Sequence, residues 1–317
     1  MILSSALLAS LLALPSSPLV ESRSFEPRIP VRELSGHELI QIGEIHDAQN
    51  HFPEALTYYE QALRSFRALK RRKDEATTLL KISSVLERQG QRATAAMKLR
   101  NAVSLFEKIR NHRDHPKALL ALGRLSAWLG SPDAAEGYFR EALRRFGQFH
   151  DSEGQGGAFI ALGMLKVVYG PQRDGIALLQ RALQEARQRG DDHQTLSALV
   201  ALGDAAWLEE KAEEGRSYYV EALALARKTL DARLQADLER RLTSVYAALG
   251  HDHEAIATAN DAVRLYHSLS DTSGEAATWA LLAWLYERTD QQESAETATQ
   301  RALLLQRHQQ FTVHGGS

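Results

Sequence analysis

Residues 115–150 read HPKALLALGRLSAWLGSPDAAEGYFREALRRFGQFH, and the fold is decided inside them. Leu119, Leu122 and Gly123 fall at i, i+3 and i+4, which is one face of an α-helix. Leu-Gly-Ser-Pro at 129–132 then breaks the chain. After the break, Ala135, Phe139, Ala142, Leu143 and Phe146 set out a second helical face at i, i+4, i+7, i+8 and i+11. The stretch therefore predicts a helical hairpin.

The same hairpin recurs on both sides of it. Ala62, Ala102, Ala142, Ala182, Ala222, Ala262 and Ala302 stand forty residues apart. Ile42, Ile82, Leu122, Leu162, Leu202, Leu242 and Leu282 share another phase, followed by Gly43, Ser83, Gly123, Gly163, Gly203, Thr243 and Ala283. A third small column runs Ala55, Ala95, Ala135, Gly175, Gly215, Ala255, Ala295. Seven copies in constant register mark a solenoid, in which each unit buries its face on its neighbours. The small columns have a cause: helix backbones approach more closely than the usual 8–10 Å or so only where little projects between them. Asn111, Asp151, Asp191, Asp231 and Asp271 repeat in the loops between units, where a short side-chain acceptor caps the free amides of a helix start.

This pattern resembles the tetratricopeptide repeat family, best in the third unit: Leu119, Leu122-Gly123, Gly130, Ala135, Phe139 and Ala142. The likeness covers residues 36–315. The opening aromatic appears only as Phe159 and Trp279, the first-helix Tyr only as Tyr246 and Tyr286, and the closing proline is missing. With six residues more than the commonest period of about 34, the second helix is expected to run longer. The unit looks like the forty-residue variant of Pins-type scaffold proteins and bacterial signalling arrays. The expected fold is all-α, a right-handed superhelical solenoid of seven helical hairpins.

Composition narrows the function. A net charge of −2 gives no reason to expect nucleic acid or an anionic membrane as partner. Without cysteine there is no disulfide, thiol nucleophile or Cys-based zinc site. The local cation cluster Arg64, Arg67, Lys70, Arg71, Arg72 and Lys73 reads as the solvated end of a second helix, with an anion-docking role as the alternative. Residues 1–21 are apolar and end in Pro15-Ser16-Ser17-Pro18, too short for a membrane span. They fit an export leader, although no Lys or Arg precedes Arg23, and a capping helix is the alternative. Residues 22–35 read as a proline-containing linker.

No catalytic set assembles. His37-Glu38-Leu39-Ile40-Gln41 begins like a zinc-protease motif but places Gln41 where the second histidine belongs. His112, His115, His251 and His253 read as loop residues with no further ligands nearby, and Gly154-Gln155-Gly156-Gly157 as a loose start to a helix, lacking the strand a phosphate loop requires. The expectation is a non-catalytic protein with no metal and no cofactor.

In such a superhelix the first helices line the concave wall. The groove phases give Leu120, Arg124 and Trp128, then Ile160, Met164 and Val167, then Val200, Asp204 and Trp207, with Arg240, Arg241 and Trp284 beyond. An apolar centre with two indoles suits a partner helix or peptide. The expected function is a protein-interaction scaffold, the alternative a peptide- or small-ligand-sensing regulator that signals through a separate effector. The chaperone-tail clamp of the family is not expected, because its phases carry Ile40, Glu44, Leu80 and Ser84. Self-association through Leu303, Leu304 and Leu305 at the C-terminal repeat is a further expectation.

Overall fold

The computed structural model describes residues 34–314, with side chains to 307. Residues 1–33, which carry the leader, capping-helix and most of the linker expectations, lie outside the described residues. Among the described residues there are fourteen helices and no strand. They are α1 (Gly36–Ala48), α2 (Phe52–Ala68), α3 (Arg72–Arg88), α4 (Arg92–Lys108), α5 (His115–Trp128), α6 (Pro132–Gln148) and α7 (Ser152–Tyr169). Then follow α8 (Gln172–Arg189), α9 (Asp192–Leu208), α10 (Ala212–Lys228), α11 (Ala232–Ala248), α12 (Asp252–Ser268), α13 (Thr272–Arg288) and α14 (Gln292–His314). Each packs on the next, and the odd-numbered helices also touch one another directly, α5 on α7, α7 on α9 and α11 on α13. The result is a right-handed superhelical solenoid of seven hairpins whose first helices form a continuous wall.

The backbone repeats at half the sequence period. Asn50, Lys70, Gly90, Arg110, Gly130, His150, Gly190, Glu210, Leu230, Gly250, Ser270 and Asp290 all have φ between 53° and 77°. Each ends a helix in the same way, as Gly130 does: its N–H donates to the carbonyl of Ala127 (3.1 Å), and Ser131 N–H reaches back to Ser126 (2.9 Å). Most of these left-handed residues are not glycine and carry a cost of about 1–2 kcal/mol each, which the packing of the helices they join must offset. The turn at 170 departs from the series. Gly170 is extended (φ −138°), because Pro171 has no N–H to send back and disfavours helical dihedrals in the residue before it. With turns twenty residues apart, α3, α4, α9, α10, α11 and α12 all have 17 residues. The extra length over the common repeat is thus shared by both helices and not confined to the second.

The interiors of the hairpins explain the glycine column. The rings of Tyr59, Phe139 and Tyr219 lie against Gly43, Gly123 and Gly203, where a Cβ would come within 2.4–2.5 Å of ring carbons. At equivalent positions Ser83 donates to the carbonyl of Ala95 (3.1 Å) and Thr243 shares a hydrogen bond with Thr258 (3.1 Å). In hairpin four the backbones themselves meet, since a Cβ on Gly175 would lie 2.6 Å from the carbonyl oxygen of Gly163.

The loop acidic column caps as expected: Asp151, Asp191 and Asp231 accept from the N–H groups of Gly154, Gln194 and Leu234 at 2.8, 2.9 and 3.0 Å. Asp271 accepts from Ser273 and Gly274. Asn111 instead receives Arg113 and Asp114 N–H in a turn, so that α5 starts later, at His115. His115 is therefore a buried helix-start residue and not a loop residue; burial, followed by nearby Arg145, holds its pKa below the ordinary value. Gly154 and its neighbours belong to α7 proper, and Gly154 leaves room for the Phe146 ring of the preceding hairpin. The basic cluster straddles a turn: Arg72 and Lys73 open α3, while Arg67 pairs with Glu75 (2.8 Å) and Arg71 with Asp74 (2.7 Å). Leu303 and Leu304 on α14 are exposed and Leu305 is half-buried.

Candidate concave groove

Two hollows sit side by side on the wall of first helices. One, of about 470 Å³, is lined by Arg124 and Trp128 of α5 and by Ile160, Met164, Val168 and Tyr169 of α7, over a floor that includes Phe139. The other, of about 400 Å³, is lined by Met164, by Asp204, Trp207 and Leu208 of α9, and by Arg240, Arg241 and Ser244 of α11, with Tyr219 of α10 at its base. Met164 lines both, so the two hollows adjoin at its side chain.

Eight of the twelve expected groove residues line it: Arg124, Trp128, Ile160, Met164, Asp204, Trp207, Arg240 and Arg241. Trp128 is 61% and Trp207 40% exposed, unusual for indoles held on rigid helices. The guanidinium of Arg92 stacks 3.6 Å above the Trp128 ring and fixes its plane.

The remaining four lie elsewhere. Val167 is buried in the core, its methyl in the space left by Gly175, because the tight α7–α8 approach turns that phase inward. Leu120 and Val200 are half-buried and pack against core clusters, completing contacts between hairpins. Trp284 is exposed but outside both hollows, with Arg288 stacked 4.8 Å over it.

Arg240 and Arg241 both line the second hollow, although adjacent helical positions diverge by about 100°. Arg241 is oriented by Asp204, which also accepts the Tyr219 hydroxyl at 2.6 Å. Burial opposes the Arg241 charge, but Asp204 and then Tyr219 more than compensate and hold its pKa above the ordinary value. The Tyr219 phenol is pushed upward by burial first and by Asp204 second. Arg240 donates from Nε to the Tyr266 hydroxyl (3.3 Å), which in turn donates to Asp237 (2.5 Å). Burial and Asp237 push the Tyr266 phenol up to about 12.

Sequence reasoning missed Tyr219 and Tyr169. Tyr219 comes from a second helix, and the signal that could have found it is its place opposite Gly203, over which a ring can pass to reach Asp204. Tyr169 reaches the groove because the irregular turn lengthens α7 by a residue. Among the described residues no three His, Cys, Asp or Glu side chains are grouped to hold a metal ion, and no helix is long and apolar enough to cross a membrane.

No protein-family model matches the chain, and no curated protein matches it in sequence. Solved structures do match in shape. Aspartyl phosphate phosphatase F from Bacillus subtilis superposes with a TM-score of 0.65 at 16% identity, over 86% of this chain and 70% of that one. A Rap protein complexed with competence and sporulation factor gives 0.64 at 14% identity, over 86% and 75% of the two chains. The Rap conjugation gene regulator of plasmid pLS20, in complex with the Phr* peptide, gives 0.63 at 15% identity, over 94% and 82%. At these identities the likeness is one of fold, and the fold is that of the tetratricopeptide-type helical solenoids.

Proposed function

We propose that the chain is a non-catalytic docking scaffold whose concave groove takes a peptide or partner helix across α5, α7, α9 and α11. The observation that carries this reading is the pair of hollows that adjoin at Met164, with the exposed indoles of Trp128 and Trp207 on their walls. Tryptophan is a preferred anchor and methionine an adaptable one at docking surfaces. The test is affinity capture with the full chain beside a Trp128→Glu, Trp207→Glu chain shown by circular dichroism to be folded. A protein retained by the unaltered chain and lost from the variant is the expected result; equal capture by both moves docking off the groove.

A second reading, a peptide-responsive regulator, draws support from two proteins of the same fold whose structures contain competence and sporulation factor or the Phr* peptide. It requires the superhelix to change shape when a peptide binds. Small-angle scattering of the chain with and without a bound peptide tests it, contraction supporting the reading and an unchanged radius opposing it.

A further inference from the structure

The groove carries a net charge opposite in sign to that of the chain as a whole. Three guanidiniums line the adjoining hollows, Arg124, Arg240 and Arg241, against the single carboxylate of Asp204, giving a formal excess of two positive charges. The whole chain is net negative, at −2. Most nearby arginines on the same wall are neutralised: Arg88 pairs with Asp47 and Arg288 with Asp252. Arg124 and Arg240, by contrast, have no carboxylate within ion-pair distance among the described residues. Asp237 reaches Arg240 only through the Tyr266 hydroxyl. The Nε of Arg241 is buried in the wall with no hydrogen-bond partner. Cations facing an open, half-apolar depression attract an anion strongly, because low-dielectric walls concentrate their field.

We infer that the occupant of the groove is an acidic peptide, an apolar side chain seated between Trp128 and Met164 and a carboxylate five residues on held by Arg240, with Arg241 as second cation. The inference rests on the docking reading above and names the chemistry of its partner. The spacing follows from the wall. Neighbouring helix axes lie about 8–10 Å apart, and α7 and α11 are two such steps apart with α9 between them; an extended peptide rises about 3.3 Å per residue, so about five residues carry the chain from the α7 hollow to the α11 cations. Asp204 is then the specificity-determining residue: it already occupies one face of Arg241 and raises the threshold an incoming carboxylate must meet.

The experiment is fluorescence anisotropy of the full chain with three fluorescein-labelled peptides, Gly-Ser-Leu-Xaa-Xaa-Xaa-Xaa-Glu-Ser-Gly and its Gln and Lys counterparts, Xaa being a Gly/Ser mixture. The Glu peptide is expected to bind about tenfold or more tightly than the Gln peptide, and the Lys peptide most weakly. Arg240→Gln should erase the Glu-over-Gln preference and Arg240→Lys should keep most of it. Asp204→Asn, which leaves Tyr219 an acceptor, should tighten the Glu peptide several-fold. Thermal melts confirm that each variant folds. Equal binding of all three peptides, weakened equally by Trp128→Glu, overturns the acidic preference and leaves the docking groove standing. No saturation by any peptide overturns the inference, and the docking reading is then decided by its own capture experiment.

Discussion

Hairpins three to five and hairpins one and two use the same scaffold positions for opposite ends. On α1 and α3 those positions carry charges that meet their complements on the neighbouring helix: Lys81 with Glu44 at 2.6 Å, Arg88 with Asp47 at 2.5 Å. Arg88 also lies over the Phe52 ring, 4.6 Å from its centre. On α5, α7 and α9 the positions of Glu44 and Arg88 carry Arg124, Met164 and Asp204 and then Trp128, Val168 and Leu208, the position of Lys81 carries Ala121, Ala161 and Ala201, and the wall stays open. A solenoid can therefore close or open its groove with two side chains per hairpin, without altering the backbone that presents them.

The strongest way to break this contrast is to charge the middle. Trp128→Glu with Trp207→Glu should weaken any groove ligand by about a hundredfold or more, since buried indole anchors dominate binding. Trp284→Glu, outside both hollows, should change it by less than about threefold; titration calorimetry decides between them. Next in size is a test of what shapes the wall from behind. Gly123→Leu drives a side chain into the Phe139 ring and should cost about 3 kcal/mol in denaturant melts. Gly90→Ala, where nothing lies nearby but φ is +77°, should cost only about 1 kcal/mol. Smaller still, Arg88→Gln at the closed end opens an exposed ion pair, so stability should fall by less than about 1 kcal/mol and groove binding should not change.

The smallest effect sharpens the comparison at the border between the two regions, where His115 opens α5. Its folded pKa lies below that of the unfolded chain, so the folded state binds fewer protons once the pH drops below about 6.5. Stability is full above that pH and declines as pH falls toward the folded value. His115→Leu should flatten this slope, read from thermal midpoints between about pH 7.5 and pH 5.

The architecture was legible because small residues, aliphatic residues and acidic caps each repeat at one period, and each repetition has a steric or hydrogen-bonding cause. The twenty-residue backbone repeat was not legible, since most left-handed turn positions carry Asn, Lys, Arg, His, Glu, Leu, Ser or Asp rather than glycine. Within the groove, phase alone located Arg124, Trp128, Ile160, Met164, Asp204 and Trp207. It failed at Val167, where two glycines draw α7 and α8 together and turn the residue inward. It could not show that Arg241 is oriented by Asp204, because that contact joins α9 to α11 across 37 positions of sequence. Periodicity reports what every hairpin does; the pairing of unlike hairpins needs coordinates.

The extended turn at Gly170 and Pro171 separates the seventh described helix from the eighth, with seven of the described helices on either side. In a rod built by stacking, a rotation at one joint swings everything beyond it, and the arm is longest for both halves when the joint is central. The turn that lacks the returning hydrogen bond thus sits midway along the described helices, beside Tyr169 and Val168 in the groove.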